Sequence, residues 1–297
     1  MRSPSPLPEI VAVFGPTASG KSGVAEALAT RLGTEVVSAD ALQVYRGLPI
    51  LTNQPDQPTR LVAIRDLSDE MSVGEYAGLA HAAIDELVAS RGSAVVAGGT
   101  GLYLRGALVD LRVPPAPAPG ARERWETAYD ADAEQAFERL AELDPAAAAV
   151  VHRNDRRRVV RALELAEAGA SLVAADDRLW SGGTRRPTLV VGLDVAEDVL
   201  ALRIEARARE MFDRGVVEEA ERALAGPVSR TAEKTLGLRE LAELPRDEAF
   251  ERIVARTRRY AAYQRKWMRR IPGIVMIEAD RPPDEVASAI LEVARAR

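Results

Sequence analysis

One short segment near the amino terminus restricts what this chain can fold into more than any other feature. Residues 15–22 read Gly-Pro-Thr-Ala-Ser-Gly-Lys-Ser and match the phosphate-binding loop pattern G-x-x-x-x-G-K-[ST] at every defined position. An apolar run rich in β-branched residues, Ile10–Phe14, precedes the loop, and a predicted helix over Gly23–Leu32 follows it. A strand, a glycine-rich loop and a helix in this order predict a parallel α/β sheet.

The loop also predicts the class of ligand. Its glycines allow successive backbone N–H groups to point at an anion, and the helix N-terminus adds partial positive charge. Lys21 is expected to reach a terminal phosphate, and Ser22 is expected to bind Mg²⁺. The predicted diphosphate-binding residues are Gly15, Pro16, Thr17, Ala18, Ser19, Gly20, Lys21 and Ser22. The motif specifies a diphosphate or triphosphate ligand, but it leaves open whether a phosphoryl group moves.

The carboxylates near the loop do not match those of a simple nucleoside triphosphatase. Such enzymes usually end an apolar strand in an aspartate that holds Mg²⁺, whereas the candidate strand Ala94–Ala97 is followed by Gly98-Gly99-Thr100. Asp40 stands instead after a second short strand, Glu35–Val37. Because the carboxyl ends of strands line the ligand crevice of an open α/β sheet, Asp40 is expected to face the phosphate loop. Its alternative role is that of a helix N-cap.

The rest of the chain predicts an α/β core that is interrupted by helices. Further strands are predicted at Leu61–Ile64, Ser93–Ala97, Thr188–Leu193 and Ile274–Ile277. Helices are predicted over Val73–Ala89, Arg122–Ala175 with an alanine-rich turn at Asp144–Val151, Val199–Ala225, and the carboxyl terminus. The proline-rich segment Val113–Gly120 reads as a semi-rigid linker. The predicted fold is a P-loop NTPase-like parallel sheet core, residues 1–112 and 187–297, with a helical insertion domain at 113–186.

Charge is distributed unevenly along the chain. The formal net charge of −5 by itself argues weakly against a nucleic-acid partner. However, every charged residue from Arg252 to Arg270 is basic. A second cluster consists of Arg153, Arg156, Arg157, Arg158 and Arg161. Each cluster has two interpretations, a surface that contacts phosphates or a solvated helix face.

Seven motifs in order resemble those of the tRNA dimethylallyltransferases, the IPP transferase family. They are the phosphate loop, S-A-D-A-L-Q-V-Y-R-G from Ser38, G-G-T-G-L-Y-L-R from Gly98, N-D-R-R-R-V-V-R-A-L-E from Asn154, R-I-E-A-R from Arg203, L-G-L-R-E from Leu236 and T-R-R-Y-A-A-Y-Q-R-K-W from Thr257. The resemblance covers nearly the whole chain. The sequence departs from the family pattern in lacking a histidine pair within Pro55–Ile64 and in having Ala262-Tyr263 where a Lys-Arg pair is usual.

The resemblance implies a reaction and its substrates. A dimethylallyl group would pass from dimethylallyl diphosphate, bound at the phosphate loop, to N6 of adenine 37, next to the anticodon of tRNA. The implied catalytic residues are Asp40, which would accept or orient the N6 proton, and Thr100 and Arg203, which would contact the departing diphosphate. Mg²⁺ is the implied cofactor, with Ser22 as its protein ligand.

The resemblance further implies a tRNA-binding surface for the anticodon stem-loop. The implied residues are Asp40, Ala41, Leu42, Gln43, Thr100, Arg122, Arg157, Arg158, Val159, Val160, Arg161, Arg239 and Arg258. Segment 40–43 would read the flipped base, and the helical insertion would act as a clamp on the RNA. The chain is expected to work as a monomer.

Three other functions compete with this prediction. A prenyltransferase acting on free AMP, ADP or ATP would share the phosphate loop, Asp40 and Thr100, but it would not need the insertion or its arginines. A P-loop kinase of a small metabolite is disfavoured by the missing aspartate at the strand end, and an RNA-binding protein without catalysis would not need an intact phosphate loop. The chain has no cysteine, no apolar run long enough to span a membrane and no signal-peptide pattern at Met1–Pro8, so a cytoplasmic location is expected.

Overall fold

The computed structural model describes residues 7–110, 118–173 and 183–296. Its strands are β1 (Ile10–Phe14), β2 (Val36–Ser38), β3 (Thr59–Arg60), β4 (Ala94–Gly98), β5 (Thr188–Asp194) and β6 (Val275–Glu278). The helices before β5 are α1 (Lys21–Leu32), α2 (Val73–Arg91), α3 (Gly101–Leu108), α4 (Ala121–Ala131), α5 (Ala133–Leu143), α6 (Pro145–Val150) and α7 (Arg156–Glu167). The helices after β5 are α8 (Glu197–Asp213), α9 (Val216–Leu224), α10 (Leu238–Glu243), α11 (Arg246–Met268) and α12 (Pro283–Ala296).

The described strands form one parallel sheet in the order β3-β2-β4-β1-β5-β6. β1 lies inside the sheet, where Ile10 is in register with Ala94 of β4 and Thr188 of β5. All five residues of β1 are buried. Because successive side chains point to opposite faces, burial of the whole strand means that both faces of the sheet are covered. The predicted P-loop NTPase-like α/β fold is confirmed.

The parallel arrangement brings three predicted site segments to the same edge of the sheet. The phosphate loop follows β1, Asp40 follows β2 and Thr100 follows β4. The Ala39 N–H donates a hydrogen bond to the Ala97 carbonyl oxygen (2.7 Å), which holds the ends of β2 and β4 together. A Cβ atom on Gly98 would lie 2.1 Å from the Ala39 carbonyl oxygen, so this close approach requires glycine.

The chain divides into two compact units, and each forms its own core. The first, Met1–Asp110 with Leu179–Arg297, contains the sheet. The second, Leu111–Arg178, contains α4 to α7, which pack around a cluster that includes Leu140, Val159 and Leu163. The predicted insertion, 113–186, can be compared with this second unit, but residues 113–117 of the predicted linker and residues 174–182 lie outside the described part of the chain.

The apolar run Leu61–Ile64 is not a strand, and the prediction there is wrong. β3 ends at Arg60, and Leu61 and Ala63 have φ angles of 64° and 52°, which a strand does not accommodate. The run turns back onto the loop after β2, where the Ala63 N–H donates to the Gln43 carbonyl oxygen (2.9 Å). It therefore supports the turn that carries Asp40.

Several helix boundaries also differ from prediction. The reason is that capping residues begin or end a helix at positions where the hydrophobic periodicity alone predicts no boundary. The predicted helix Val199–Ala225 is two helices, separated at Gly215, which has a φ of 88°. The predicted alanine-rich turn is the helix α6, because the Asp144 side chain accepts a hydrogen bond from the Ala147 N–H (3.0 Å) and Pro145 occupies the first helical position. Helix α7 ends at Glu167, before the predicted end at Ala175, and α3 was not predicted.

Candidate active site

A cavity of about 130 Å³ opens beside the phosphate loop in the unit that contains the sheet. Thr17, Lys21 and Ser22 of the loop line it, with Asp40 and Arg207 beside them. Two of its apolar residues, Ile204 and Ala208, pack with Ala18 of the loop, whereas others belong to a separate apolar cluster. The apolar lining side chains are Leu51, Ile204, Ala208, Met211, Leu236 and Ile253. The cavity therefore suits an amphiphilic ligand, with an anionic group on the loop and a short hydrocarbon away from it.

The phosphate loop has the backbone shape that its motif predicts. Ala18 and Gly20 both have positive φ, 63° and 84°, and α1 begins directly after them at Lys21. The Lys21 ammonium group donates to the Pro16 carbonyl oxygen (2.7 Å). A Cβ on Gly15 would lie 2.7 Å from the Ser19 hydroxyl oxygen and 3.1 Å from Leu193 Cβ, so the first glycine of the motif is required for packing.

Lys21 has an unusual acidity for a lysine. Burial disfavours its ammonium form and lowers its pKa to about 8, with a smaller lowering from the charge of Arg207, while the Asp40 carboxylate acts in the opposite direction. At neutral pH the side chain is still charged. A bound diphosphate would favour that charged form.

The affinity for a prenyl diphosphate is therefore expected to fall as the pH rises through the pKa of Lys21. The attraction to the ammonium group is fully present below about pH 8 and is lost above it, by about tenfold for each pH unit until the pKa of the complex is reached. Titration of dimethylallyl diphosphate across this range measures the effect. The matched variant is Lys21→Arg, whose guanidinium stays charged. If wild type and Lys21→Arg lose affinity in parallel, another group controls the pH dependence.

Asp40 lies where the carboxyl end of β2 meets the phosphate loop. Its Oδ1 accepts a hydrogen bond from the Leu42 N–H (3.0 Å), which closes a turn. No helix begins there, so the helix N-cap interpretation is wrong. Asp40 is near enough to Lys21 and Arg207 for its charge to oppose the lowering of both their pKa values. It therefore lies in the cavity as a carboxylate beside two cations, next to the position expected for the diphosphate.

Thr100 and Tyr260 connect the end of β4 to α11. The Thr100 hydroxyl oxygen accepts a hydrogen bond from the Ala41 N–H (3.3 Å), next to Asp40. Tyr260 hydrogen bonds with Thr100 and Gln264, and burial, aided by the charge of Asp40, raises its pKa to about 12. Tyr260 is consequently a neutral hydroxyl at neutral pH, able to orient Thr100 beside the cavity. The sequence prediction did not include it.

Gln264 is a second site residue that the sequence prediction missed. Its side-chain oxygen accepts from the Thr17 N–H (2.8 Å) in the phosphate loop, and its amide donates to the Gly99 carbonyl oxygen (2.8 Å). A Cβ on Gly99 would lie 2.2 Å from the Gln264 amide nitrogen, which explains the second glycine of the G-G-T segment. Gln264 therefore holds the two loops in a fixed position. Its only sequence signal was membership of the motif that begins at Thr257.

Helix α8 supplies Arg207 to the site. Its guanidinium donates to the Thr17 hydroxyl (3.1 Å), and burial lowers its pKa. Its Nε is buried, and no acceptor for it lies within hydrogen-bonding distance among the described residues. Arg203, the arginine predicted from the same motif, lies one turn earlier and forms an ion pair with Asp280 (2.7 Å). It lines an open pocket on the solvent side of the phosphate loop. Arg207 is thus the arginine with an unsatisfied donor at the phosphate end of the cavity.

The predicted base-reading segment has its own internal structure. Leu42 and Gln43 line the cavity. The Gln43 amide donates to the Asn53 carbonyl oxygen (2.8 Å) and its oxygen accepts from the Ser38 hydroxyl (2.8 Å). In this structure the Gln43 amide group therefore stabilises the wall of the cavity. The Ala41 N–H donates its hydrogen bond to the Thr100 hydroxyl oxygen.

The predicted tRNA-binding residues of the insertion fall into three groups. Arg122 and Arg161 share the fully buried carboxylate of Glu164, at 2.5 and 2.9 Å. Val159 and Val160 are buried, so their side chains pack in the interior and are not exposed for a contact with RNA. The remaining two, Arg157 and Arg158, are exposed and form no ion pair within the described residues.

The two predicted RNA-contact arginines outside the insertion are both paired with carboxylates. Arg239 contacts Glu233 and Glu243, and Arg258 lies 3.3 Å from Glu205. All of these side chains are at least partly exposed, and surface pairs of this kind contribute little stability. They are therefore available to exchange their partners for phosphates.

The parallel sheet and the phosphate loop together define the class of this protein, a P-loop α/β protein. Comparison with known families narrows this class. The IPP transferase model matches residues 43–271 and the isopentenyl transferase model matches residues 8–65, so the chain belongs to the IPP transferase family. No helix in the described part of the chain is long and apolar enough to cross a membrane.

Relatives and solved structures agree with this family. The tRNA dimethylallyltransferase of Anaeromyxobacter dehalogenans is 40% identical over 295 residues, covering 95% of this chain and 98% of the relative. That of Streptomyces coelicolor is 38% identical over 289 residues, covering 92% and 91%. The full-length tRNA isopentenylpyrophosphate transferase from Bacillus halodurans has a TM-score of 0.68 at 28% identity, covering 96% of this chain and 95% of that one. A eukaryotic dimethylallyltransferase acting on tRNA shares the fold, with a TM-score of 0.72 at 24% identity, covering 91% and 73%.

Proposed function

We propose that this chain transfers a dimethylallyl group from dimethylallyl diphosphate to N6 of adenine 37 of tRNA, releasing diphosphate. The observation that carries the proposal is the cavity that the phosphate loop, a set of apolar side chains and Asp40 line together. A five-carbon chain ending in a diphosphate has the same division of polar and apolar parts. The choice of tRNA as the acceptor is based on the relatives, which are named tRNA dimethylallyltransferases.

The chemistry follows from the residues around the loop. The adenine amine is a weak nucleophile because its lone pair is delocalised into the ring. As the bond from the allylic carbon to the diphosphate oxygen breaks and the bond to N6 forms, Asp40 accepts the N6 proton. Negative charge grows on the departing diphosphate, where Lys21 and Arg207 stabilise it. Gln264 and Tyr260 act indirectly, since they position the phosphate loop and Thr100.

Mg²⁺ is the proposed cofactor. Ser22, the first residue after Lys21 in the loop, would hold it together with oxygens of the diphosphate, since Mg²⁺ usually keeps few protein ligands and several waters. The described residues contain no group of three or more histidine or acidic side chains that could hold a metal. When bound, Mg²⁺ would neutralise charge on the leaving group.

The insertion is proposed to position the anticodon stem-loop. An adenine can reach the cavity only after it leaves its stack, as in other enzymes that act on bases. Contacts to phosphates fix the register of an RNA without reading its sequence. Arg157 and Arg158 are suited to this role, because they are exposed and free of carboxylate partners within the described residues. We infer that the enzyme works as a monomer, in the cytoplasm where tRNA is found.

The double variant Arg157→Ala, Arg158→Ala is expected to bind tRNA more weakly and with a shallower salt dependence. Each lost phosphate contact reduces the slope of log affinity against log salt concentration by roughly one unit. Arg161 is left intact, because its removal would disturb the buried Glu164. The matched control is Arg139→Ala, an exposed arginine of α5 that pairs with Glu142. If both variants show the wild-type slope, the pair is a solvated helix face.

Incubation with labelled dimethylallyl diphosphate distinguishes this function from its rivals. The chain is offered tRNA, free AMP, or ATP with a panel of metabolites, and transfer of label to each is measured. Label is expected in tRNA alone. Label in AMP would favour a free-nucleotide prenyltransferase, and phosphorylation of a metabolite would favour a kinase. Binding of tRNA without transfer of label would favour an RNA-binding protein.

A further inference from the structure

Three apolar side chains from three separate elements form one wall of the cavity. Leu51 comes from the loop after β2, Met211 from the last turn of α8 and Ile253 from α11. These side chains are only 7%, 8% and 3% exposed, and they belong to one apolar cluster that continues behind the cavity. The wall is therefore part of the protein core and contains no polar group that would need a partner.

The backbone of Gly237 packs closely against this wall. Gly237, with a φ of 93°, lies behind it. A Cβ at this position would be 3.0 Å from Ile253 Cγ1 and 3.6 Å from Leu51 Cδ1. A side chain at position 237 would therefore crowd Ile253, and glycine lets the backbone approach the wall.

The size of the cavity limits the hydrocarbon that it can accept. Its volume is about 130 Å³, and this figure includes the part next to the phosphate loop. For comparison, an apolar protein cavity of about 150 Å³ accommodates one benzene molecule, which has six carbon atoms. A five-carbon prenyl group matches this scale, whereas a ten-carbon prenyl group has twice as many carbon atoms and exceeds it.

We propose that Leu51, Met211 and Ile253 form a chain-length gate that restricts the prenyl donor to five carbons. This inference rests on the proposed function and adds the structural basis of its donor selectivity. Met211 is the most informative residue to change. Its side chain is unbranched and makes no hydrogen bond, so truncation removes three atoms from the wall and leaves the polar end of the cavity unchanged.

The test compares dimethylallyl diphosphate with geranyl diphosphate in wild type and in Met211→Ala. Binding is measured by titration, and transfer to tRNA by single-turnover rates. The preference for geranyl over dimethylallyl diphosphate is expected to rise at least about tenfold in the variant, because each methylene in an apolar pocket is worth about 10–200-fold in selectivity. Ile253→Ala is the second variant, which decides the matter if Met211→Ala does not fold.

Met268→Ala is the matched control for the loss of a buried methionine. Met268 is 3% exposed and lies on α11, but it does not line the cavity. Its variant should lose stability and keep the wild-type preference. An unchanged preference in folded Met211→Ala and Ile253→Ala, or an equal rise in Met268→Ala, would overturn the gate. If wild type transfers no prenyl group at all, the proposed function fails, and the two titrations still decide whether the wall selects chain length.

Discussion

Replacing Asp40 with alanine is expected to lower the rate of single-turnover prenyl transfer by about 10²–10⁴-fold, the usual contribution of a positioned general base. Asp40 is the carboxylate beside the phosphate loop, in a cavity that it shares with Lys21 and Arg207. Without it, the N6 proton has no acceptor at the reacting centre. Transfer at saturating substrates measures the loss. tRNA affinity should change much less, since one carboxylate contributes no phosphate contact.

Asp40→Asn separates the proton chemistry from the structural role of the side chain. The asparagine oxygen can still accept the hydrogen bond from the Leu42 N–H that closes the turn, but the amide cannot act as a base at neutral pH. Both variants should therefore lose the rate, and Asp40→Asn should keep the wild-type melting temperature. A folded Asp40→Asn enzyme with a near-wild-type rate would remove Asp40 from the mechanism.

Arg207→Ala is expected to lower the transfer rate by about 10²–10³-fold, which is the cost of removing one donor aimed at charge that develops in a transition state. The guanidinium contacts Thr17 of the phosphate loop and has a buried Nε without a partner in the described residues. A departing diphosphate would satisfy that donor. Single-turnover rates and titration of dimethylallyl diphosphate together show whether the loss arises in the ground state or in the transition state.

Two other arginines of α8 serve as comparisons for Arg207. Arg209 is exposed and pairs with Glu205 on the surface, so Arg209→Ala should leave the rate little changed. Arg203 forms an ion pair with Asp280 near the phosphate loop, and Arg203→Ala should lower the transfer rate less than Arg207→Ala does. If Arg203→Ala is the more damaging variant, the sequence-based assignment of the diphosphate contact to Arg203 is correct and the geometric assignment to Arg207 is wrong.

Local sequence patterns predicted those features whose causes are local. The phosphate loop needs glycines at set positions because its backbone adopts positive φ, and the loop appears where its motif predicts it. The buried strands β1 and β4 follow from short apolar runs, and Gly98 marks the place where β4 approaches β2 too closely for a side chain. Prediction failed where the hydrophobic pattern indicated one structure and the backbone conformation of particular residues required another. Gly215 divides a helix that its hydrophobic period would continue, and positive φ angles turn Leu61–Ile64 away from the sheet.

From sequence alone, this chain was predicted to be a P-loop α/β protein with Asp40 beside the loop, because the ends of parallel strands must meet at one edge of a sheet. Only the tertiary structure decided which distant side chains complete that site. Gln264 reaches the phosphate loop across 247 positions of sequence, and Arg207 reaches it across 190. The tertiary structure also determined that Glu164 forms ion pairs with Arg122 and Arg161, whereas Arg157 and Arg158 are exposed. The physical reason is that side-chain pairing depends on which helices pack together, and one helix's sequence does not specify its neighbours.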